Sequence, residues 1–226
     1  MNIIIFRGGL VVLNTIDEEL KKLDNVMIKY ISALKVLETQ LEIINDDFKY
    51  IKKYNPIEHI KTRIKSADSI INKLYDDNLE FNLDNVEEYI NDIVGVRIIC
   101  AFSSDVFELI EIIRNSNIIH VINEKDFITK PKETGYRSYH LIVEVPVELI
   151  NEKVMVKAEI QIRTLAMDLW ASLEHKLKYK SDYCTDSISN KLISISEELS
   201  KIDSEMLELV NKENQLKLLE EGEDSY

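Results

Sequence analysis

One stretch, residues 153–175, constrains the fold of this chain more than any other. Its first half alternates between apolar and polar residues, so an extended backbone would place two different sets of side chains on its two faces. The apolar set is Val154, Val156, Ala158, Ile160 and Ile162, and the polar set is Lys157, Glu159, Gln161 and Arg163. This alternation predicts a strand with one face in a core and the other in a polar pocket.

A helix is predicted directly after this strand, over residues 164–177. It carries a polar row of Asp168, Ser172 and His175 and a separate apolar stripe of Leu165, Leu169 and Leu173. The polar row follows a strand end that already offers a carboxylate, an amide and a guanidinium. We expect a charged ligand at this place.

Long amphipathic helices are predicted at both ends of the chain. Over residues 20–51 apolar side chains recur alternately every four and three positions, and a similar pattern covers 192–209. Apolar stripes of this length favour packing against another helix or another subunit. The alternative is that each helix packs only on its own domain. We divide the chain into an N-terminal extension (1–15), a long helix (16–55), a central domain (56–180), and a C-terminal helix with an acidic tail (181–226).

The pattern of strands and helices in the centre of the chain predicts an α+β fold, a mixed β-sheet flanked by helices. Strands are predicted over 94–102, 118–127, 139–145 and 154–162, with a helix over 107–115 between the first two. Another helix is predicted between Pro56 and Asn78. On this pattern alone, a solvated face is the simpler interpretation of Arg63, Lys65 and Ser69.

The net charge of −13 argues against broad binding to duplex nucleic acid, which requires many cationic side chains. Cys100 and Cys184 have neither disulfide nor metal-site spacing, and Cys100 lies in an apolar strand, so we expect a reducing, cytoplasmic location. The apolar start of the chain is too short to span a bilayer, and no other apolar run approaches that length. We therefore expect no association with membranes.

Asp92 and Glu159 are the predicted metal ligands. Asp92 stands just before one predicted strand and Glu159 lies within another, and Arg97 is expected on the polar face of the first. Mg²⁺ takes a few carboxylate oxygens and completes its coordination with water and substrate phosphate. The alternative is that Asp92 caps a turn and Glu159 pairs with an arginine.

The segment ITKPKETGYRSYHLIVEV combines basic residues with Gly135 and Tyr136, and His140 follows on a strand. Lysines and arginines grip phosphates, and an aromatic ring stacks on a base. Each residue also has an ordinary explanation, since Gly135 can serve a turn and Tyr136 can cover the core. The combination is more specific than its parts.

Four blocks in this order resemble the synthetase domain of the RelA/SpoT family, in the compact form called small alarmone synthetases: RIKSADSI, DIVGVRIICAF, KETGYRSYHL and EIQIRTLAMDLWASLEHKLKYK. The resemblance covers about residues 26–206, and GYRSYH and EIQIRT are its most specific parts. The chain contains no His-Asp dipeptide, the signature of the hydrolase domain in long family members. The resemblance therefore implies a synthesis-only enzyme with a nucleotidyltransferase-like fold.

The reaction implied by the resemblance moves pyrophosphate from ATP to the 3′ hydroxyl of GMP, GDP or GTP and releases AMP, in the stringent response. The implied catalytic residues are Asp92, Glu159 and Gln161, and Asp92 and Glu159 would hold Mg²⁺. The implied ATP-binding residues are Arg63 and Arg97 around the adenine and Lys65 and Ser69 near the phosphates.

On the acceptor side, the resemblance implies that Tyr136 stacks on guanine, and that Lys132, His140 and Arg163 contact phosphates or orient the donor. Asp168 lies where many relatives have Asn, and it would accept hydrogen bonds from guanine N1 and the 2-amino group. The resemblance also implies a homotetramer formed through the terminal helices, and it admits single-stranded RNA as a partner.

Two other functions compete with this interpretation. A catalytically silent guanine-nucleotide sensor that signals through its terminal helices would lack Asp92 or Glu159, and both are present. A coiled-coil protein with the central domain as a spacer would gain nothing from the polar face that ends at Arg163.

Overall fold

A computed structural model of the chain describes residues 3–6, 9–52, 54–180 and 186–223, so Cys184 and the last three residues of the acidic tail lie outside the described residues. The elements in chain order are β1 (Ile3–Phe6), β2 (Gly9–Val12), α1 (Leu13–Lys52), β3 (Ile57–Ile64), α2 (Ala67–Asp76), α3 (Leu83–Tyr89), β4 (Val94–Cys100), α4 (Ser103–Arg114), β5 (His120–Asp126), β6 (Tyr139–Glu148), β7 (Lys153–Thr164), α5 (Leu165–Lys180) and α6 (Asp186–Glu223). In the N-terminal extension, β1 and β2 pair as an antiparallel two-stranded sheet.

The central sheet has five strands in the order β3-β4-β7-β6-β5. Only β4 and β7 run parallel, and the other pairs are antiparallel, so the sheet is mixed and the α+β prediction is confirmed. The alternation in β7 also holds, because Val156, Ala158, Ile160 and Ile162 are all buried. The strand predicted over 154–162 is β7, which occupies the middle of the sheet.

The long seam of α1 packs on this sheet. Its buried residues Leu23, Tyr30, Leu37 and Leu41 join the same apolar core as the sheet strands. Within the chain, α1 therefore packs on its own domain, which was the alternative interpretation of its apolar stripe. The C-terminal helix α6 instead contacts α5 and α4.

The helix predicted between Pro56 and Asn78 is wrong in its first half. Residues Ile57–Ile64 form the edge strand β3, which pairs antiparallel with β4, and the helix α2 begins only at Ala67. Ile60 and Ile64 are four residues apart, a spacing that suits one face of a helix and one face of a strand alike. The β-branched residues of this segment favour the strand, and Ser66 caps α2 by accepting a hydrogen bond from the Ser69 amide.

Helix α5 turns Trp170 and Ala171 inward, where the indole Nε1 of Trp170 donates 2.8 Å to the Leu192 carbonyl of α6. The predicted apolar stripe lies on another side of α5 and is about half exposed: Leu165, Leu169 and Leu173, continued by Leu177. Cys100 is fully buried in β4, as predicted for a small apolar side chain. None of the described helices has the length and apolar character that a membrane span requires.

Candidate active site

The register of the sheet gathers the predicted polar residues on one face. Two rows cross the strands from β3 to β6: Arg63, Gly95, Glu159 and Ile142 form one, and Lys61, Arg97, Gln161 and His140 form the next. Because successive residues of a strand alternate between faces, these rows two residues apart lie side by side on the same face. Residues far apart in sequence thereby meet on one polar surface.

Two cavities open on this surface, and Glu159 lines both. The first has a volume of about 220 Å³ and is lined mainly by Arg63, Arg97, Gln161 and Glu159. The second has a volume of about 460 Å³, and its lining includes Asp92, Lys132, His140 and Glu159. Asp92 and Glu159 thus face a common space, as predicted.

Asp92 is held by two lysines. Lys65 Nζ lies 2.6 Å from one carboxylate oxygen and Lys73 Nζ lies 2.7 Å from the other. Burial raises the pKa of Asp92, but the two lysine hydrogen bonds outweigh it, and the net pKa lies below its ordinary value. Asp92 is therefore ionised at neutral pH. The solvated-face interpretation of Lys65 is wrong, since its side chain is largely buried against Asp92.

Glu159 is held by His140 and Gln161. His140 Nδ1 lies 3.0 Å from Oε1 of Glu159, and Gln161 Nε2 donates 3.0 Å to Oε2. Burial raises the pKa of Glu159, but the contacts with His140 and Gln161 together outweigh it, so the net pKa lies below its ordinary value. The alternative was that Asp92 caps a turn and Glu159 pairs with an arginine. Instead, Asp92 pairs with two lysines, and Glu159 has no arginine among its partners in the described chain.

The donor set suits a magnesium ion that relies on water and phosphate for most of its ligands. Among the described residues, no group of three or more His, Cys, Asp or Glu side chains is placed to hold a metal by itself. Asp92 and Glu159 nevertheless lie close enough for the charge of Asp92 to raise the pKa of Glu159. Two ionised carboxylates beside one cavity are the protein contribution that Mg²⁺ usually needs.

Behind the cavities, Arg163 is buried, with 3% of its surface exposed. Its guanidinium donates to the Tyr136 hydroxyl at 2.6 Å, to Gln161 Oε1 at 3.0 Å and to Asp168 at 3.2 Å. Asp168 also accepts from Arg97 at 3.4 Å, so one carboxylate lies between two guanidiniums. Burial and the nearby Arg163 lower the pKa of Arg97, and Asp168 partly offsets them. This arrangement supplies the charge compensation that a buried arginine requires.

An aromatic group surrounds the predicted acceptor residues. Phe127 meets the rings of Tyr136 and His140 edge-on, with centroid distances of 6.1 and 5.3 Å. The ammonium of Lys132 lies 4.8 Å from the Phe127 centroid and 5.1 Å from that of Tyr136. Tyr136 is partly buried and also packs against the cluster around Trp170. The Tyr136 ring thus covers part of the core, as the ordinary explanation holds, and it also has a cation over it.

Gly135 fixes the loop that carries Lys132 and Tyr136. Its φ of +89° lies in the region that favours glycine, and a Cβ there would come within 3.0 Å of Ser196 on α6. The Ser196 hydroxyl donates to the Gly135 carbonyl from a buried position. Gly135 thus serves a turn, the ordinary explanation given above, and α6 holds this turn in place.

Every predicted site residue lines one of the two cavities or bonds to a residue that does, except Ser69, which lies exposed in the first turn of α2 with its hydroxyl on Ser66. Sequence reasoning missed Lys73 and Phe127. Recognising Ser66 as the start of α2 would have placed Ser69 and Lys73 on one helix face, four residues apart. The signal for Phe127 is an aromatic residue at the end of a predicted strand, directly before the basic segment.

Comparisons with known proteins identify the family of this chain. Residues 62–183 match the family described as the region found in RelA/SpoT proteins. The chain is 43% identical over 196 residues to GTP pyrophosphokinase YwaC of Bacillus subtilis, covering 86% of this chain and 92% of that protein. It is 35% identical over 190 residues to GTP pyrophosphokinase YjbM of the same organism, covering 84% and 89% respectively.

Solved structures show the same fold. The structure of small alarmone synthetase 2 from Bacillus subtilis matches with a TM-score of 0.76 at 41% identity, over 84% of this chain and 98% of that one. Small alarmone synthetase 1 from Bacillus subtilis, bound to its product pppGpp, matches with a TM-score of 0.78 at 34% identity, over 85% and 98%. The matched family region spans β4, β6 and β7, which carry most of the polar surface described above. The chain belongs to the RelA/SpoT family.

Proposed function

We propose that this protein is an alarmone synthetase that transfers pyrophosphate from ATP to the 3′ hydroxyl of a guanine nucleotide and releases AMP. The observation that carries the proposal is the position of Glu159, whose ionised carboxylate lines both cavities. A transfer between two nucleotides needs two adjoining binding places and a proton acceptor where they meet. The relatives named GTP pyrophosphokinase and the neighbour with bound pppGpp support this activity.

The first cavity suits the donor. Arg63 and Arg97 line it from neighbouring strands, and guanidinium planes on two sides suit the flat adenine of ATP. From there the triphosphate would extend past Glu159 towards Lys65 and Lys73, which cluster on Asp92. These ammoniums would then stabilise the charge on the phosphate oxygens during transfer.

The second cavity suits the acceptor. Lys132 and His140 line it, and Tyr136 lies directly behind them. The Lys132 ammonium sits on a flexible stem over the Tyr136 ring, so its movement to a phosphate would free a face of the ring for guanine. Glu159 would then lie beside the 3′ hydroxyl and accept its proton.

Asp168 suits recognition of guanine. Its Oδ1 accepts from both Arg97 and Arg163, which fix the carboxylate. Guanine presents two donors side by side, N1–H and the 2-amino group, and the other oxygen, Oδ2, would accept from them. An inosine nucleotide lacks the 2-amino group and would bind less tightly through this contact.

Asp92 and Glu159 would hold Mg²⁺, with Gln161 fixing the Glu159 carboxylate beside it. When bound, the ion would neutralise charge on the phosphate oxygens. The protein itself contributes the two ionised carboxylates and the lysines that balance Asp92.

We also propose that the protein acts in the cytoplasm as a homo-oligomer, a tetramer in its simplest form, assembled through its terminal helices. The half-exposed leucine stripe of α5 and the exposed Ile202, Met206 and Leu209 of α6 support this assembly. Size-exclusion chromatography with light scattering tests it, and a monomer at micromolar concentration contradicts it.

The activity is tested by incubating the protein with ATP and Mg²⁺ and with GMP, GDP or GTP in separate reactions. We expect AMP and a guanine nucleotide that carries a 3′ pyrophosphate, resolved by ion-exchange chromatography. A reaction without acceptor controls for simple hydrolysis of ATP. Absence of AMP with all three acceptors, combined with measurable nucleotide binding, contradicts the proposal and favours the silent sensor.

A further inference from the structure

We infer that His140, together with the Tyr136 hydroxyl, is a positioning pair that sets the orientation of the Glu159 carboxylate and ties it to the acceptor base. The inference rests on the proposed function, in which Tyr136 receives guanine and Glu159 accepts the acceptor proton. It concerns orientation, and no proton needs to travel along the pair.

Five side chains form a closed ring of hydrogen bonds at this place. The successive distances are 3.0 Å from Glu159 to Gln161, 3.0 Å from Gln161 to Arg163, 2.6 Å from Arg163 to Tyr136, 2.8 Å from Tyr136 to His140, and 3.0 Å from His140 back to Glu159. The ring crosses from β7 to the Gly135 loop and to β6, so it links three separate segments of chain.

The two ends set the direction of the bonds when the imidazole of His140 is neutral. An arginine offers only donors, and an ionised carboxylate offers only acceptors, so both arms of the ring then run from Arg163 to Glu159. In one arm His140 carries its proton on Nδ1 and donates to Glu159, which leaves Nε2 to accept from the Tyr136 hydroxyl. In the other arm Gln161 accepts from Arg163 through its carbonyl and donates to Glu159 through its amide.

This arrangement satisfies each group in the ring with one matched partner on each side. Removing the Tyr136 hydroxyl leaves Nε2 of His140 without its donor. The imidazole is then free to rotate. The Glu159 carboxylate then loses one of its two fixed hydrogen bonds. Displacing a catalytic group by about 1 Å can lower the rate by a large factor. The Tyr136 hydroxyl should therefore affect turnover, although His140 lies between it and Glu159.

The test is the Tyr136→Phe variant, which keeps the aromatic ring and removes only the hydroxyl. Steady-state rates with ATP and the preferred guanine nucleotide should show kcat lowered roughly tenfold, with the acceptor KM within about twofold of wild type. If the hydroxyl only supported folding, its removal would lower Tm but would not lower kcat at an unchanged acceptor KM. Tm is therefore measured on the same samples.

Tyr139→Phe is the matched control. Tyr139 lies nearby on β6, and its hydroxyl bonds Arg114 and Glu124 outside the ring. We expect its kcat to stay within about twofold of wild type, since it removes the same atom from a different network.

A second pair of variants tests His140 itself. Asn places an amide donor near the position of Nδ1, so His140→Asn should recover a several-fold part of the kcat that His140→Ala loses. This comparison also decides the matter if Tyr136→Phe does not fold.

Each outcome has one meaning. Wild-type kcat in Tyr136→Phe, or a raised acceptor KM with unchanged kcat, overturns the positioning pair. Equal kcat in the Asn and Ala variants of His140 also overturns it. If wild-type protein releases no AMP with any acceptor, the proposed function fails, and that result is distinct from an active enzyme that is insensitive to Tyr136→Phe.

Discussion

The ammonium of Lys65 lies 2.6 Å from Oδ2 of Asp92, and the backbone amide of the same lysine donates 2.8 Å to the carbonyl of Ile93. One residue thus joins the end of the edge strand β3 to the start of β4 through both its backbone and its side chain. The contact keeps Asp92 ionised despite its burial. An edge strand that sequence reasoning took for helix therefore supplies a cation to the predicted metal ligand.

Asp92→Asn and Glu159→Gln should each lower AMP formation by about 10² or more, because each removes an ionised oxygen from the second cavity, which Glu159 shares with the first. Both changes are isosteric, so the variants should fold, with a Tm somewhat below that of wild type, because the depressed pKa of each carboxylate means that its ionised form stabilises the folded state. Glu144→Gln, on β6 outside both cavities, is the matched control and should retain its rate. Near-normal turnover in either site variant would remove the metal assignment.

Tyr136→Ala should weaken acceptor binding by roughly 1 to 3 kcal/mol if guanine stacks on the ring. Isothermal titration with the guanine nucleotide measures this, and ATP affinity serves as the internal reference. An unchanged acceptor affinity would mean that the ring only packs on the Trp170 cluster.

Gly95→Ala should weaken ATP binding without affecting the acceptor. A Cβ on Gly95 would lie 3.2 Å from both Cγ and Nε of Arg63, so this side chain, which lines the first cavity, must shift from its position there. We expect the KM for ATP to rise about three- to tenfold, with the acceptor KM unchanged. Combining Gly95→Ala with Arg63→Ala should add little to Arg63→Ala alone, because both act through the same side chain. Fully additive effects would contradict this account.

Asp203→Asn should raise Tm at neutral pH. Burial raises the pKa of Asp203, and the hydrogen bond from the Thr164 hydroxyl offsets this only in part. The folded state therefore binds the proton more tightly than the unfolded state, and the stability of wild type falls as pH rises through the folded pKa. An Asn oxygen still accepts from Thr164 and avoids burying a charge.

The Tm gain of Asp203→Asn should be roughly 1 to 3 °C at pH 7 and should shrink as the pH approaches the ordinary Asp pKa of about 4. Thermal unfolding followed at several pH values between these limits measures it. Glu208→Gln, on the exposed surface of α6, is the control and should show no such trend. A gain that is independent of pH would contradict the assignment to burial of the charge.

The sequence predicted much of the site because the strand of residues 153–164 is two-sided. Strict alternation leaves only one way to bury its apolar residues, so Glu159, Gln161 and Arg163 had to share the polar face. The same alternation failed to identify β3, where Ile60 and Ile64 satisfy a helical and an extended spacing equally. An edge strand buries only part of its surface, and its pattern is correspondingly weak.

The sequence alone thus determined the strands β4 to β7, their core faces and the chemical types at the site, because these follow from periodicity along a single segment. Only the tertiary structure decided which polar groups meet. The pairing of Asp92 with two lysines, the ring through His140 and Tyr136, and the contact of α6 with Gly135 all join residues distant in the chain. Strand order and helix packing set those encounters, and local sequence patterns carry no information on distances between separate segments.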